Sequence, residues 1–577
     1  SMQILRKKIP LPGSLGRVCP HPCEEDCRRQ QVEAPISIRN LKRWVADWEM
    51  KHGVVLPELQ PFSGKRVAIV GGGPAGLSAA YYLRIKGHGS VIYDQMPELG
   101  GMLRYGIPEY RLPKTVLDWE IKAITDMGEI EARCNQALGR DFTVTQLENE
   151  YDAVILAIGA WKAKGLRVEG EDHPRVFGGI DYLREYVLGN EPDVGRKVVV
   201  VGGGNTAIDA ARTALRQGAD VTLVYRRTRN EMPAEAEEIR DAEDEGVKYD
   251  FLVAPVGLEF DGDKLLGMKC LRMELGEPDD CGRRRPVPIE GSEFMYECDT
   301  INTATGQDIE PGVISHDEVD QTRWDTVNVA KPTFRTNREK VFAAGALVTG
   351  PQLVVDAVYM GRKAAEGIDR LFSGTLEEPD FDIVSERAAG PEPLLVGKQE
   401  IARTEPVFLE PATRIKSQAE VDTGFTTGEA VHEADRCLTC GCEDVFECKL
   451  KRYMDEYEVN PKRYAGATHE YDVDLSHPNV RRDPNKCVKC GKCVEVCDQG
   501  RGLAILGFTS RGFEASVGPV LDQPMVETAC EACGDCIAVC PVGALTEIVP
   551  LSKPGPYETE PVASTCAGCS LGCDVGV

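Results

Sequence analysis

Cys487, Cys490, Cys493 and Cys497 follow the spacing C-x2-C-x2-C-x3-C, and Cys530, Cys533, Cys536 and Cys540 repeat it with Pro541 behind. Nothing else in the chain restricts its folding so tightly. Thiols bunched two and three residues apart are a metal-binding pattern, whereas disulfide-bonded proteins spread their cysteines between loops. The identical spacing marks an internal repeat, as expected of a duplicated cluster-binding module. In arrays of this kind three cysteines hold one cubane and the fourth reaches its neighbour, which predicts that Cys497 serves the second cluster and Cys540 the first. Asp498 stands where a proline commonly follows the fourth cysteine. Paired C-x2-C motifs also build zinc ribbons, but two complete repeats favour two [4Fe-4S] clusters.

The rest of the 22 cysteines extend the pattern. Cys19, Cys23 and Cys27 form one further bunch, Cys437, Cys440, Cys442 and Cys448 a second, and Cys566, Cys569 and Cys573 a third. Cys134, Cys270, Cys281 and Cys298 stand alone and read as small apolar filler. No amino-terminal stretch has the basic start, apolar run and cleavage site of a secretory signal, so a reducing cytoplasm is expected, where thiolates can hold metal. Lys plus Arg number 67 against 93 Asp plus Glu, a formal net charge of −26. A surface so acidic repels phosphate backbones and anionic lipid heads, which disfavours nucleic-acid binding. No apolar run approaches the ~20 residues of a membrane-spanning helix, so membrane insertion is not expected.

Two other constellations concern nucleotides. The apolar run at 65–70 (KRVAIV) enters Gly71-Gly72-Gly73-Pro74-Ala75-Gly76, an Ala-rich helix follows, and the next strand, VIYD, ends in Asp94. Gly71 permits the tight turn, Gly73 lets backbone approach a pyrophosphate, Gly76 lets the helix pack closely, and Asp94 can accept a ribose hydroxyl. The run at 197–201 (KVVVV) enters Gly202-Gly203-Gly204-Asn205-Thr206-Ala207, and its next strand, VTLVY, ends in Arg226-Arg227 instead of an acid. A guanidinium there pairs with the 2′-phosphate of NADPH, where an acid would take the 2′-hydroxyl of NADH. The same arginines are open to a plainer reading as solvated charges of a basic loop that also holds Arg229.

The stretches GGGPAGLSAAYYL, ELGGMLRYGIPEYRLP, VVVVGGGNTAIDAART and YRRTRNEMPAEAEEI resemble the small subunit of bacterial glutamate synthase and its relatives, over roughly residues 14–372. The resemblance implies a disulfide-reductase-like fold with FAD in the first unit, NADPH in the second, and Gly100, Gly101 and Met102 lining the flavin. Family members usually end the carboxy-proximal FAD strand in Ala-Ala-Gly-Asp, whereas this chain reads Ala343-Ala344-Gly345-Ala346, so one polar anchor for the ribityl chain is absent. Gly345 is still expected at the flavin, and the Gly350-Pro351-Gln352-Leu353 stretch, through Gln352 and Leu353, to offer backbone donors. The repeats, with RGFEASVGP between them, resemble the ferredoxin-like part of the large iron–sulfur subunit of complex I and of cytoplasmic formate dehydrogenases and hydrogenases.

The predicted fold class is α/β, with two nested Rossmann-like units of disulfide-reductase type, a small helical iron–sulfur cap and a bacterial ferredoxin-like α+β domain. The boundaries expected are a cap at 1–62, an FAD unit at 63–190 and 300–376, and an NADPH unit at 191–299. A Pro- and Glu-rich linker at 377–429 follows, then a cysteine knot at 430–480, the two-cluster domain at 481–552 and a cysteine-bearing tail at 553–577. Cap and knot together are expected to hold one or two further [4Fe-4S] clusters. In relatives a Gln or Glu after an Ile-x-Ile-x-x-Leu stretch can complete a cap cluster, but here Ile36 to Leu41 is followed by Lys42, which cannot ligate while protonated. The tail cysteines resemble the first three of the cluster that opens the molybdopterin part of formate dehydrogenases. Truncation before such a domain, completion by a partner, and a vestige that binds nothing are all open.

The expected activity is transfer of electrons between NADPH, FAD and the clusters, to or from a catalytic oxidoreductase subunit, with a ferredoxin as a further candidate partner. Hydride passes from nicotinamide to flavin without an acid or base side chain, so no catalytic residue is nominated. A glutamate synthase small subunit and an electron-transfer scaffold with a degenerate flavin site are the rival readings, the second supported by Ala346 and Lys42.

Overall fold

The computed structural model describes residues 2–278, 283–310, 312–315, 317–331, 333–374, 399–442, 448–457, 459, 466–467, 469–548, 562–565 and 574–576. Each Gly-rich motif lies at the carboxyl end of a central strand of a parallel five-stranded sheet. The first sheet runs Val341–Ala343, Ala153–Leu156, Arg66–Val70, Gly89–Tyr93, Ile130–Arg133. Its inner strands read RVAIV and AVIL because both faces are covered, and continuous apolar runs suit that environment. Helix Pro74–Ile85 begins on a proline, whose missing N–H costs nothing at that position, and packs against helix Val354–Ser373.

The second sheet runs Val176–Gly178, Thr300–Thr303, Lys197–Val201, Asp220–Tyr225, Lys248–Phe251, again all parallel. The chain enters and leaves this unit through an antiparallel pair, Lys162–Ala163 with Gln307–Asp308. The second unit is therefore inserted within the first, and it takes in Val176–Gly178 and Thr300–Thr303, which the sequence reading gave to the first. Val-Phe-Gly is too short to show a period, and its place is decided only by pairing with Thr300–Thr303. An antiparallel sheet of Val253–Asp261, Lys264–Pro278, Arg284–Pro288 and Phe294–Glu297 is appended to this unit.

The cap packs on the first unit. Glu120, fully buried, accepts the backbone N–H of Gly13 (2.5 Å) and Ser14 (2.9 Å) at the start of helix Pro12–Val18, and so fixes that end of the cap. Residues 403–435 fold onto the same body, whereas the sequence reading assigned them as linker up to 429. Glu433 accepts the N–H of Ser37 and of Thr404, both at 2.8 Å, and Val421 N–H donates to the Tyr110 carbonyl. Pro and Glu mark a segment without its own periodicity; they do not stop it from docking.

A second compact unit contains the region from Arg436 onward together with short segments around 28–34 and 399–402. The buried Arg436 guanidinium donates to Glu33 and to the carbonyls of Ala34 and Ile401. Within the unit, Val480–Arg482 pairs antiparallel with Leu545–Glu547, and Leu506–Thr509 with Ser516–Pro519. Its core is small, built on Val480, Cys493, Leu506, Val517, Met525 and Leu545, with other cysteines packed around it. Among the described residues no helix is long and apolar enough to cross a membrane.

Candidate functional site

The first motif folds as its glycines require. Gly71 has φ +111°, and a Cβ there would lie 2.3 Å from the Ala157 carbonyl oxygen. A Cβ on Gly76 would lie 1.9 Å from the Gly71 carbonyl oxygen, so the helix rests directly on the turn. Around Gly73 the nearest atom to such a Cβ is Gly101 Cα at 3.7 Å, which leaves room at the amino terminus of a twelve-residue helix, where N–H groups and the helix dipole favour a phosphate. Pro74 and Ala75 open that helix. The Gly100–Gly101 turn meets the motif backbone to backbone: Gly100 N–H donates to the Gly72 carbonyl at 2.8 Å, and Met102 begins the next short helix.

Gly71 and Asp94 line a cavity of about 400 Å³ with Gln95, Gln136 and Trp161. Asp94 is buried, which pushes its carboxyl above the usual range, and its oxygens accept the N–H of Gly72 (2.7 Å) and Met96 (2.8 Å). Each oxygen keeps a second lone pair. Gly345, at φ +74°, brings the carboxy-proximal loop to within 3.1 Å of the Ala75 side chain, measured from its would-be Cβ. Ala346 follows with nothing polar to offer, while Gln352 and Leu353 are exposed ahead of helix Val354–Ser373. Room beside a glycine turn, a helix amino terminus and a carboxylate at the second strand fit a dinucleotide such as FAD.

The second motif repeats the geometry. Gly202 has φ +151°, a Cβ on it would lie 2.3 Å from the Ala304 carbonyl oxygen, and Gly204 caps helix Asn205–Arg216. Ala207 replaces the third glycine without conflict. A cavity of about 680 Å³ is lined by Gly202, Gly204 and Thr206, by Arg226 and Arg227 at the strand end, and by Pro351 from the first unit. Asn205 accepts the N–H of Glu235 at 3.0 Å and so fixes the start of helix Ala236–Glu245. Arg226 is exposed; Arg227 is buried and donates from Nε to the Arg284 carbonyl at 2.8 Å. Arg283 also lines this cavity. Sequence reasoning passed over it, although Arg283-Arg284-Arg285 stands in plain view, because no motif spacing connects it with residue 226.

The repeats adopt the same backbone. Lys489 and Ala532 both have φ +55°, and Gly491 and Gly534 follow at +76° and +81°, each heading a short helix. Cys487, Cys490, Cys493 and Cys540 line one small cavity. Burial first, then the neighbouring Cys487, Cys540 and Cys490, push the Cys493 thiol up to about 11; burial, Cys530, Cys493, Cys533 and Cys497 act in the same way on Cys536, pushed up to about 12. Cys487, Cys490, Cys493 and Cys540 thus share one cavity, and Cys530, Cys533 and Cys497 lie near Cys536, as does Cys493. Thiols that oppose one another's ionisation fit a metal cluster, which takes them as thiolates. Lys489 N–H donates to Cys487 Sγ and Ile505 N–H to Cys497 Sγ, both at 3.3 Å, contacts of the kind that tune a cluster's potential.

Cys19 is buried at the end of helix Pro12–Val18, Cys23 is exposed, and Cys27 Sγ accepts Ile36 N–H at 3.5 Å. Burial pushes the Lys42 ammonium down, against the pull of Cys19 and Cys23 nearby. Cys437 and Cys440 are exposed, Cys442 is half-buried, and Cys448 caps helix Lys449–Glu456 by accepting Lys451 N–H at 3.4 Å. Cys566, Cys569, Cys573 and Cys281 lie outside the described residues. Cys270 and Cys298 are buried in an apolar cluster, as filler would be.

Residues 65–361 match the family described as pyridine nucleotide-disulphide oxidoreductase. Residues 1–54 match dihydropyrimidine dehydrogenase domain II, 4Fe-4S cluster, and residues 477–546 the ferredoxin-like domain of NADH-quinone oxidoreductase subunit 3. The chain is 42% identical to the NADP(+)-dependent formate dehydrogenase subunit beta of Moorella thermoacetica, covering 76% of this chain and 66% of that protein. It is 41% identical to the NADPH-Fe(3+) oxidoreductase subunit beta of Geobacter sulfurreducens, covering 76% and 71%. Identity to the small chain of Escherichia coli glutamate synthase [NADPH] is 38%, over 62% of this chain and 80% of that one. The chain thus spans about two thirds of the length of the first two relatives.

Proposed function

The chain belongs to the pyridine nucleotide-disulphide oxidoreductase family, and on that premise we propose that it is an NADPH-dependent flavin and iron–sulfur oxidoreductase subunit that exchanges electrons with a partner catalytic subunit. The observation that carries the reading is the cavity of about 680 Å³ that runs from Arg226 and Arg227 past Gly202 and Gly204 to Pro351, in the loop next to the flavin unit's last helix. When bound, NADPH and FAD supply two-electron hydride chemistry, and [4Fe-4S] clusters supply one-electron steps.

The residues of the chain bind and orient. Gly71, Gly73 and Gly76 with Pro74 and Ala75 would hold the flavin pyrophosphate at the helix start, and Asp94 the ribose. Gly100, Gly101, Met102, Gly345, Gln352 and Leu353 would bound the flavin itself. Gly202, Gly204, Asn205, Thr206 and Ala207 form the corresponding turn for NADPH, with Arg226 and Arg227 at its 2′-phosphate. Cys487, Cys490, Cys493 and Cys540 would hold one cluster and Cys530, Cys533, Cys536 and Cys497 the other. Cys19, Cys23, Cys27 and the knot cysteines Cys437, Cys440, Cys442 and Cys448 would hold one or two more.

The two β-subunit relatives support a hetero-oligomer, with a formate dehydrogenase-like or other molybdopterin subunit as the partner. A cytoplasmic location accords with so many thiolate sites. The test is an anaerobic titration of cluster-replete protein with NADPH and separately NADH, following flavin and iron–sulfur absorbance together. Bleaching of both chromophores by NADPH in preference to NADH is expected. Bleaching of neither, or no flavin released on denaturation, would leave a scaffold that passes electrons between partners.

A further inference from the structure

In a chain of net charge −26, the nicotinamide-nucleotide cavity is lined among the described residues by Lys164, Arg167, Arg226, Arg227 and Arg283 and by no Asp or Glu. Arg283 directly precedes strand Arg284–Pro288 of the appended antiparallel sheet, outside the strand–turn–helix that holds the recognised motif. Two tethers bring it in. The Arg227 Nε bond to the Arg284 carbonyl, at 2.8 Å, ties the strand end to the appended sheet. Arg283 Nη2 donates to Tyr225 Oη at 3.0 Å and to the Glu231 carbonyl at 2.9 Å. Tyr225 in turn lies on the turn itself, since a Cβ on Gly203 would meet its ring at 2.6 Å. Of the acids nearby, Asp308 pairs with Lys164 at 2.8 Å, Glu171 accepts the backbone N–H of Arg167 at 2.7 Å, and Glu231 is committed to its own turn: its carboxylate accepts the backbone N–H of Thr228 at 3.1 Å and the Thr228 hydroxyl at 2.5 Å. That bond to Thr228 holds the carboxyl below its usual range.

We infer that Arg283 is a specificity-determining residue for the 2′-phosphate, acting with Arg226 and Arg227 so that preference for NADPH is set by two elements brought together in the fold. The inference rests on the proposed NADPH site. Held through Nη2 by Tyr225 and Glu231, the Arg283 guanidinium brings a fixed positive charge to the phosphate, and one charge-assisted hydrogen bond is worth about 10- to 100-fold in affinity.

The test measures dissociation constants of NADPH, NADH and 2′,5′-ADP for the full, flavin- and cluster-replete chain and for Arg283→Gln, which keeps a side-chain donor toward Tyr225 and Glu231 but loses the charge. Arg283→Lys is measured beside it, with circular dichroism and flavin content as folding controls. Expected is a 10- to 100-fold weakening of NADPH and 2′,5′-ADP in Arg283→Gln, with NADH changed less than about 3-fold and partial recovery in Arg283→Lys. Equal weakening of NADPH and NADH, or no change in either, would overturn the inference. If the unaltered chain itself prefers NADH, it is the NADPH reading that fails, and that outcome overturns the inference with it; a preference for NADPH left undiminished in Arg283→Gln overturns the inference alone.

Discussion

Lys114 holds its ammonium against three carbonyl oxygens, those of Ile107 (2.6 Å), Leu112 (3.1 Å) and Leu103 (3.3 Å), in the segment just after the Gly100–Gly101 turn. Burial pushes its pKa down to about 8 from the ordinary 10.5. Between those values the folded chain has already released the proton while the unfolded chain keeps it, so this residue's contribution to stability rises with pH across that window. Relative to Lys114→Met, the unaltered chain should gain about 2–4 kcal/mol between pH 8 and 10.5, read as the change in urea midpoint difference. A constant difference would mean that Lys114 titrates normally. Ala346 invites the opposite kind of experiment. The resemblance leads one to expect a carboxylate there, and Ala346→Asp should slow loss of flavin on dilution about 5- to 30-fold, the worth of one or two added hydrogen bonds. Neither residue announces its environment in sequence. Ala346 was legible as a departure from pattern, whereas Lys114 reads as any exposed lysine until the surrounding carbonyls are in place.

At the scale of elements, the helices Pro74–Ile85 and Val354–Ser373 meet where a Cβ on Gly361 would lie 2.1 Å from the Ala75 carbonyl oxygen. Gly361→Ala must pry the two apart beside the flavin turn, at a cost of about 1–3 kcal/mol, and should lower both the melting temperature and the flavin content of purified protein. The sequence announced Gly71 and Gly76 through their motif, but Gly361 sits mid-helix with no local role, and only the packing of a distant helix explains it. The repeats show the reverse case. Their spacing alone implied the exchange of fourth cysteines between clusters, and the lining of one cavity by Cys487, Cys490, Cys493 and Cys540 is the arrangement that exchange requires. Cys540→Ser should therefore disturb the same cluster as Cys490→Ser. Iron content and electron paramagnetic resonance should show no loss in the Cys540→Ser/Cys490→Ser double variant beyond that of either single one, while Cys540→Ser with Cys533→Ser should lose both signals. Additive loss in the first pair would reverse the assignment.

At the scale of the first compact unit, a buried ionic network joins elements far apart in the chain. Arg111 pairs with Asp209 and Glu238; Arg212 with Glu238, Asp241 and Glu245; Arg216 and Arg414 with Glu245. The Arg216 guanidinium also lies 3.7 Å from the Tyr110 ring centroid. The network links the flavin unit, the nucleotide unit and, through Arg414, the segment expected from sequence to be linker. Arg111→Met leaves Asp209 buried without its ion-pair partner and Glu238 with Arg212 alone, and should destabilise the unit by about 3–5 kcal/mol, measured by denaturant unfolding. A loss under 1 kcal/mol would show that water or the remaining arginines compensate.

What the sequence by itself determined was everything that depends on neighbours along the chain. Glycine turns between strand and helix, the acid or basic ending of the next strand, and thiols two and three residues apart are local patterns whose chemistry follows from spacing. The nested arrangement was legible too, because the first unit's motifs resume after the second. Tertiary structure alone decided where Val176–Gly178 and Thr300–Thr303 belong, how residues 403–435 dock, and why Gly361 and Lys114 are what they are. It also brought Arg283 to the cavity of Arg226. The physical reason is the same throughout: short strands, buried charges and close backbone approaches take their energy from partners distant in sequence, and a pattern confined to one stretch of chain carries no record of those partners.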